Sequence, residues 1–232
     1  MREIVLDTET TGLDPSGGHR IVEIACVEII NLMPTGQNFH TYLDPLRSVP
    51  AEAFRIHGLS TEFLRGKPLF ETKYRDFLEF IADSRLIIHN AEFDIKFINA
   101  ELARVGATGL SIDRVFDTLT FARKKHPGAS NSLDALCARY RIDNSKRTKH
   151  GALLDSEILA EIYMELMGGR QKGLGFVSVE KKNNNNNPII AEYSKMKFNS
   201  SIPLPAELAA HDIYRKSLCE GSVWESFYKV LS

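Results

Sequence analysis

The chain contains little cysteine, and its cysteines are far apart. The three are Cys26, Cys137 and Cys219, an odd number without the spacing of a metal site. Neither a disulfide framework nor a zinc finger is therefore indicated. We expect the cysteines to act as small buried hydrophobic residues in a protein that folds in a reducing, intracellular compartment.

Long apolar runs and an excess of charge are also missing. No stretch reaches the roughly 18 apolar residues of a membrane span, and Arg2 and Glu3 lead directly into a short apolar strand rather than a signal peptide. We therefore expect a cytoplasmic protein with no membrane partner. The 29 basic and 30 acidic residues give a net charge of −1. This balance counts only weakly against nucleic-acid binding, because a neutral chain can carry a local basic patch.

The 232 residues, of which 43% are hydrophobic, are typical of one globular domain with an appendage. Apolar, β-branched stretches predict three strands in an antiparallel meander, with Asn31, Pro34 and Gly36 as turn residues between the second and third. Strands and helices then alternate, which predicts an α/β domain with a mixed sheet. The predicted strands are 3–7, 19–30, 38–45, 85–90 and 111–117, and the predicted helices are 74–84, 92–106, 117–126, 131–140 and 151–167.

The sequence changes in character after Gly169. Five consecutive asparagines lie within residues 170–202, and this stretch lacks helical or strand periodicity, so we predict a flexible linker. Residues 203–232 are helix-like again and end in an apolar stripe at helical spacing, formed by Trp224, Phe227, Tyr228 and Leu231. So short a segment buries such a stripe poorly alone. It either packs on the main domain, residues 1–169, or binds a partner, and the flexible tether favours a partner.

Acidic residues follow two of the predicted strands. Asp7 and Glu9 end the first strand and point the same way, because side chains alternate along a strand. Asp94 follows the fourth strand, on the first turn of a helix, while His150 precedes the last long helix and Asp155 lies within it. A D-x-E pair alone is weak evidence for a functional site, since strand ends at the surface often carry acidic residues. Four converging carboxylates, however, would require cations, and Mg²⁺ prefers oxygen ligands.

Three stretches, "VLDTETTG", "HNAEFD" and "HGALLD", resemble the three motifs of the DEDDh exonucleases, and the similarity extends from residue 3 to about 169. Within this family the chain is most similar to the proofreading subunits of bacterial DNA polymerase III. The resemblance implies a ribonuclease H-like fold and 3′–5′ hydrolysis of DNA that releases nucleoside 5′-monophosphates. It further implies a general base, His150, and four ligands for two divalent ions, Mg²⁺ or Mn²⁺: Asp7, Glu9, Asp94 and Asp155.

The resemblance extends to substrate and partner sites. Glu52 and His57, in "AEAFRIHG", match positions beside the terminal nucleotide. Residues 203–232 would bind the catalytic alpha subunit of the polymerase. The stretch "RQKGLGF" resembles a sliding-clamp peptide through Gln171, Leu174 and Phe176. A basic cluster next to the site is formed by Lys146, Arg147 and Lys149. It either belongs to a solvated surface loop or attracts the phosphates of DNA.

Two other functions fit parts of the sequence. One is an exonuclease of the same group that trims RNA, against which the tail and the close similarity to proofreading subunits argue. The other is a non-catalytic assembly factor of the polymerase, against which the complete acidic set argues. Digestion of paired, mispaired and RNA 3′ ends separates the three.

Overall fold

The computed structural model describes residues 1–168 and the isolated helical positions Ala206, Ala209, Ala210 and Ile213. Its sheet has five strands in the order β3-β2-β1-β4-β5. Strand β1 pairs antiparallel with β2 and parallel with β4, and β4 pairs parallel with β5. The predicted mixed five-stranded sheet with flanking helices is therefore confirmed. The strands are β1 (Arg2–Thr10), β2 (Ile21–Ile30), β3 (Met33–Tyr42), β4 (Arg85–Ile88) and β5 (Val115–Asp117).

Seven helices are present in the described part of the chain. They are α1 (Ala51–His57), α2 (Thr61–Leu64), α3 (Phe70–Ile81), α4 (Ala91–Arg104), α5 (Thr118–Lys125), α6 (Leu133–Tyr140) and α7 (Ala152–Leu166). Five of them correspond to predicted helices. Helices α1 and α2 were not predicted, because 7 and 4 residues are too few to show a helical period.

The β2–β3 hairpin corrects the predicted turn. Ile30 pairs with Met33, so the turn consists of Asn31 and Leu32, which have φ values of 51° and 69°. Two positive φ values are typical of the two-residue turns that match strand twist. Pro34 and Gly36 lie inside β3 rather than in the turn. The proline is tolerated there because β3 is an edge strand of the sheet.

Alternation along β1 divides the core into two layers. Ile4 and Leu6 point into the layer that contains α3 and α4, whereas Val5 points into the layer that contains α7. Asp7 and Glu9 share the parity of Val5 and therefore project toward the α7 side of the sheet. Thr8 projects toward the α4 side. The position of the acids thus follows from the register of a single buried strand.

Two of the three cysteines, Cys26 and Cys137, are free and buried, as expected. Among the described residues, none of the helices has both the length and the apolar character that crossing a membrane requires. Cys219, the predicted linker, the predicted clamp peptide and nearly all of the predicted C-terminal segment lie outside the described residues.

Candidate active site

The ends of β1 and β4 lie side by side and carry the first three acids. These strands run parallel, with Val5 opposite Ile87. Asp7 and Glu9 extend from β1 beyond this paired stretch. Helix α4 begins three residues after β4 ends, which places Asp94 in its first turn. The acids at the end of β1 and after β4 therefore lie close together.

Thr8 connects β1 to the acid on α4. Its backbone amide and its hydroxyl both donate to Asp94 Oδ1, at 3.1 and 2.6 Å. Asp94 is only 3% exposed. Burial raises the pKa of its carboxyl to about 7, although the two bonds from Thr8 favour the ionised form.

The two acids of β1 are also shifted toward their neutral forms. Burial, together with the nearby charges of Asp94, Glu9 and Asp155, raises the pKa of Asp7 well above its usual value. Burial and the neighbouring carboxylates raise the pKa of Glu9 to about 8. One of those neighbours is Glu23, which lies opposite Glu9 in the β1–β2 register. When ionised, Asp7, Glu9 and Asp94 would therefore bring more negative charge into the site than nearby positive groups neutralise.

Asp155, on the first turn of α7, differs from the other three acids. Burial would raise its pKa, but hydrogen bonds and charge from Arg147 and His150 outweigh this effect, so the pKa is lowered. Arg147 Nε and Nη2 lie 2.5 and 2.8 Å from Asp155 Oδ1 and Oδ2. This bidentate pair is nearly buried, with side-chain exposures of 6% and 5%.

His150 lies at the edge of the site, with half of its side chain exposed. Its Nδ1 is 3.3 Å from Asp155 Oδ2, and its backbone amide donates to the carbonyl of Ile56 at 3.2 Å. The ammonium of Lys149 lies 4.9 Å from the centre of the Phe54 ring. The loop that carries His150 is thus attached to α1 at two adjacent residues.

An open cleft of about 910 Å³ contains all five predicted catalytic residues among those that line it. Three of them form a tighter group: single ligand atoms of Glu9, His150 and Asp155 all lie within 4.8 Å of one another. Asp7 and Asp94 are outside that group but line the same cleft.

A neighbouring cavity of about 510 Å³ is lined by Glu52 and His57 and shares Thr8, Glu9 and Phe93 with the main cleft. His57 is buried, which lowers the pKa of its ring. Its Nδ1 accepts a hydrogen bond from the amide of Leu59 at 3.0 Å, whereas its buried Nε2 has no partner within the described chain. Because Nδ1 accepts, the neutral ring carries its proton on the buried Nε2.

The residues fit a divalent-metal site. Four carboxylates supply hard oxygen ligands, and three have pKa values raised by crowding and burial, which a cation would relieve. The fourth, Asp155, already neutralises its charge with a guanidinium. Magnesium and manganese both accept such ligands, so the donor set indicates divalent cations without selecting one.

The sequence interpretation missed the position of Arg147. It was predicted in a basic cluster beside the site, as part of a solvated loop or a phosphate attractor, but its side chain is nearly buried within the site. A signal was present: Arg147 precedes His150 by three residues and Asp155 by eight, and only arginine can match a carboxylate bidentately. Gly151, between His150 and α7, adopts no unusual backbone angle. Its φ of −158° and ψ of 124° are ordinary extended values.

Comparison with known proteins agrees with this geometry. The RNase_T exonuclease family matches residues 4–163. The DNA polymerase III subunit epsilon of Rickettsia conorii is 56% identical over 188 residues, which cover 80% of this chain and 82% of the relative. The subunit epsilon of Escherichia coli K12 is 52% identical over 176 residues, covering 73% and 72%.

Solved structures share the fold. Exonuclease X in complex with 5′ overhanging duplex DNA is 25% identical, with a TM-score of 0.54, over 71% of this chain and 90% of that one. The nuclease domain of 3′hExo, a DEDDh family member, has a TM-score of 0.62 over 72% and 91%, at 16% identity. Together with the sequence relatives, these findings show that the chain belongs to the exonuclease family and, within it, to the epsilon subunits of bacterial DNA polymerase III, the proofreading 3′–5′ exonucleases.

Proposed function

We propose that five residues of the cleft hydrolyse the 3′-terminal phosphodiester of DNA: Asp7, Glu9, Asp94, Asp155 and His150. The observation that carries this proposal is the convergence of four carboxylates and one histidine at the end of β1, in an open cleft. The products would be deoxynucleoside 5′-monophosphates.

The four carboxylates would hold two divalent ions, Mg²⁺ or Mn²⁺. Bound there, the ions would supply charge that stabilises the attacking and leaving oxygens of the reaction. The protein positions their ligands rigidly. Asp7 and Glu9 are on a central strand, Asp94 is tied to that strand through Thr8, and Asp155 is on a long helix packed against the sheet. Rigid mounting favours catalysis because the ligands need not reorganise during the reaction.

His150 would act as the general base that accepts a proton from the attacking water. Half of its side chain is exposed, so a water molecule in the cleft can reach the ring. Its Nδ1 lies 3.3 Å from Asp155 Oδ2, so that carboxylate can stabilise the ring after proton uptake.

The terminal nucleotide would occupy the neighbouring cavity, beside Glu52 and His57. Both side chains line this cavity together with Glu9, which places polar groups beside the space that the nucleotide would fill. No feature of this arrangement requires the base to be read. A mispaired end frays more readily than a paired one and reaches the cleft as a single strand.

We further propose the partners. Residues 1–169 form the exonuclease domain, residues 170–202 a flexible linker, and residues 203–232 a segment that binds the catalytic alpha subunit of DNA polymerase III. Gln171, Leu174 and Phe176 contact the sliding clamp. The names of the relatives support a partnership with the polymerase. A flexible tether would raise the local concentration of the exonuclease at the primer end.

A digestion assay tests the proposed substrate. Primers with paired, mispaired and RNA 3′ ends are incubated with the protein and Mg²⁺, and the released nucleotides are identified. We expect 5′-monophosphates, released fastest from the mispaired DNA end. Preference for the RNA end would instead support an RNA-trimming enzyme, and no release from any end would support a non-catalytic assembly factor.

A further inference from the structure

Arg147 contacts several residues of the proposed active site, which a solvated surface cation would not do. Its Nε and Nη2 hold both oxygens of Asp155, and its Nη1 donates to Asp134 Oδ1 at 2.7 Å. Nη2 also lies 2.9 Å from His150 Nδ1. One nearly buried guanidinium thus contacts a proposed metal ligand, the proposed base and a third acid.

Arg147 supplies positive charge where the proposed ions would supply it. Its bidentate contact places a positive charge directly against Asp155. Among the described residues, Asp7, Glu9 and Asp94 form no comparable ion pair. An ion bound to Asp155 would lie beside the guanidinium and be repelled by it. Bidentate pairing also uses one acceptor direction on each carboxylate oxygen.

The protein offers the guanidinium a second acceptor. Asp134 is on α6 at the edge of the cleft, and its side chain is 62% exposed. Arg147 can therefore leave Asp155 and remain paired. The same movement would release His150, because Nη2 now occupies the Nδ1 side of its ring.

We infer that Arg147 is a counter-cation that competes with the divalent ion for Asp155, withdraws to Asp134 when the ion binds, and thereby frees His150. This inference rests on the proposed metal site. It assigns Arg147 a positioning role rather than a direct part in bond cleavage. Displacing Arg147 would cost the ion part of its binding free energy. A variant without the arginine should therefore bind the ion more tightly.

Titration with Mn²⁺ alone, in the absence of DNA, tests the competition. The full-length protein is compared with its Arg147→Gln and Lys146→Gln variants by isothermal titration calorimetry. Lys146 is the matched control, because it is exposed on the same loop and its loss removes the same charge without a contact to Asp155. We expect R147Q to bind Mn²⁺ roughly 10-fold more tightly than K146Q, and its metal-free form to melt at a lower temperature than that of K146Q.

Arg147→Lys provides a second test in case the glutamine variant does not fold. Lysine keeps the positive charge but cannot pair with both carboxylate oxygens. We expect R147K to bind Mn²⁺ with an affinity between those of wild type and R147Q. If R147Q and R147K bind Mn²⁺ no more tightly than K146Q, Arg147 only supports Asp155 and the inference is overturned. If none of the proteins, wild type included, binds Mn²⁺, the proposed metal site itself fails.

Discussion

The hydroxyl of Thr8 lies 2.6 Å from Asp94 Oδ1, and this contact joins the central strand to the helix that carries the third acid. Both residues are buried. Because Thr8 also donates its amide to the same oxygen, Asp94 is held in one place relative to Asp7 and Glu9. The spacing of the proposed ligands thus depends on a residue that is not itself a ligand.

Thr8→Val should destabilise the protein by about 2 kcal/mol, because a buried carboxylate loses a charged hydrogen bond. Thr35→Val is the matched control, since the Thr35 hydroxyl also donates to a carboxylate, Glu28 Oε2 at 2.7 Å, but at the exposed surface. Urea unfolding monitored by circular dichroism measures both. A loss in T8V no larger than that in T35V would show that Thr8 does not hold Asp94.

The metal-free protein should lose stability as the pH rises from 5.5 to 8.5. Glu9 and Asp94 have folded-state pKa values of about 8 and about 7, above those of the unfolded chain. The folded state therefore binds more protons in this window, and each such group lowers the unfolding free energy by up to about 1.4 kcal/mol per pH unit. Asp155, with a lowered pKa, contributes no slope there because it is ionised in both states.

Glu9→Gln isolates this effect in urea unfolding curves recorded across the pH range. The comparison is needed because desolvation lowers the pKa values of the buried His57 ring and the partly buried His89 ring, and both push the slope in the opposite direction near pH 6. We expect E9Q to lose less stability with rising pH than wild type, whereas Glu79→Gln, on the exposed face of α3, should match wild type. Identical slopes in wild type and E9Q would refute the assignment of this effect to Glu9.

His150→Ala should reduce turnover by roughly 10²–10⁴-fold, the usual contribution of a general base, while Mn²⁺ binding survives. Steady-state digestion of a mispaired primer and calorimetric Mn²⁺ titration measure the two properties separately. His126→Ala is a suitable control, because His126 contacts Tyr140 and is not among the residues lining the cleft. Turnover near that of wild type at neutral pH would exclude His150 as the base, and loss of Mn²⁺ binding would identify it as a ligand instead.

Much of the site was predictable because its signals are local. The apolar run before Asp7, the helix start before Asp94 and the spacing of His150 and Asp155 each depend on a few consecutive residues. Parallel pairing of β1 and β4 then brings these segments together. The alternation of strands and helices predicts a mixed sheet but not this pairing. The matching motifs added the roles of the residues.

Features that depend on tertiary contacts were not predictable in the same way. The direction of the Arg147 side chain depends on carboxylates of α6 and α7, which lie outside its loop. The loop sequence alone therefore predicts only a basic surface. The turn between β2 and β3 was misplaced because Pro34 and Gly36 are strong turn formers. Their position inside β3 depends on that strand lying at the edge of the sheet.

Removal of residues 170–232 should separate catalysis from assembly. Within the described part of the chain, all the residues that line the cleft and the neighbouring cavity precede 169, so we expect a chain ending at Gly169 to digest a free mispaired primer at a rate similar to that of the full chain. It should no longer associate with the polymerase alpha subunit in size-exclusion chromatography. Coelution of the shortened chain with alpha would place the binding surface on the exonuclease domain.

Replacing Gln171, Leu174 and Phe176 together with alanine should weaken binding to the sliding clamp without changing the digestion of a free primer. Surface plasmon resonance with immobilised clamp measures the affinity. The matched control is Lys172→Ala, which lies within the same stretch but outside the proposed motif. Unchanged clamp affinity in the triple variant would refute the proposed peptide.

The most direct test of the account is single-turnover release of the 3′-terminal nucleotide from a mispaired primer, with Mg²⁺ or with EDTA. Wild type is compared with Asp7→Asn and with Asp76→Asn, since Asp76 is an exposed acid of α3 that pairs with Lys73 and lines neither the cleft nor the neighbouring cavity. The account predicts Mg²⁺-dependent release by wild type and D76N, and none above background by D7N. Release that continues in EDTA, or that survives in D7N, would contradict it.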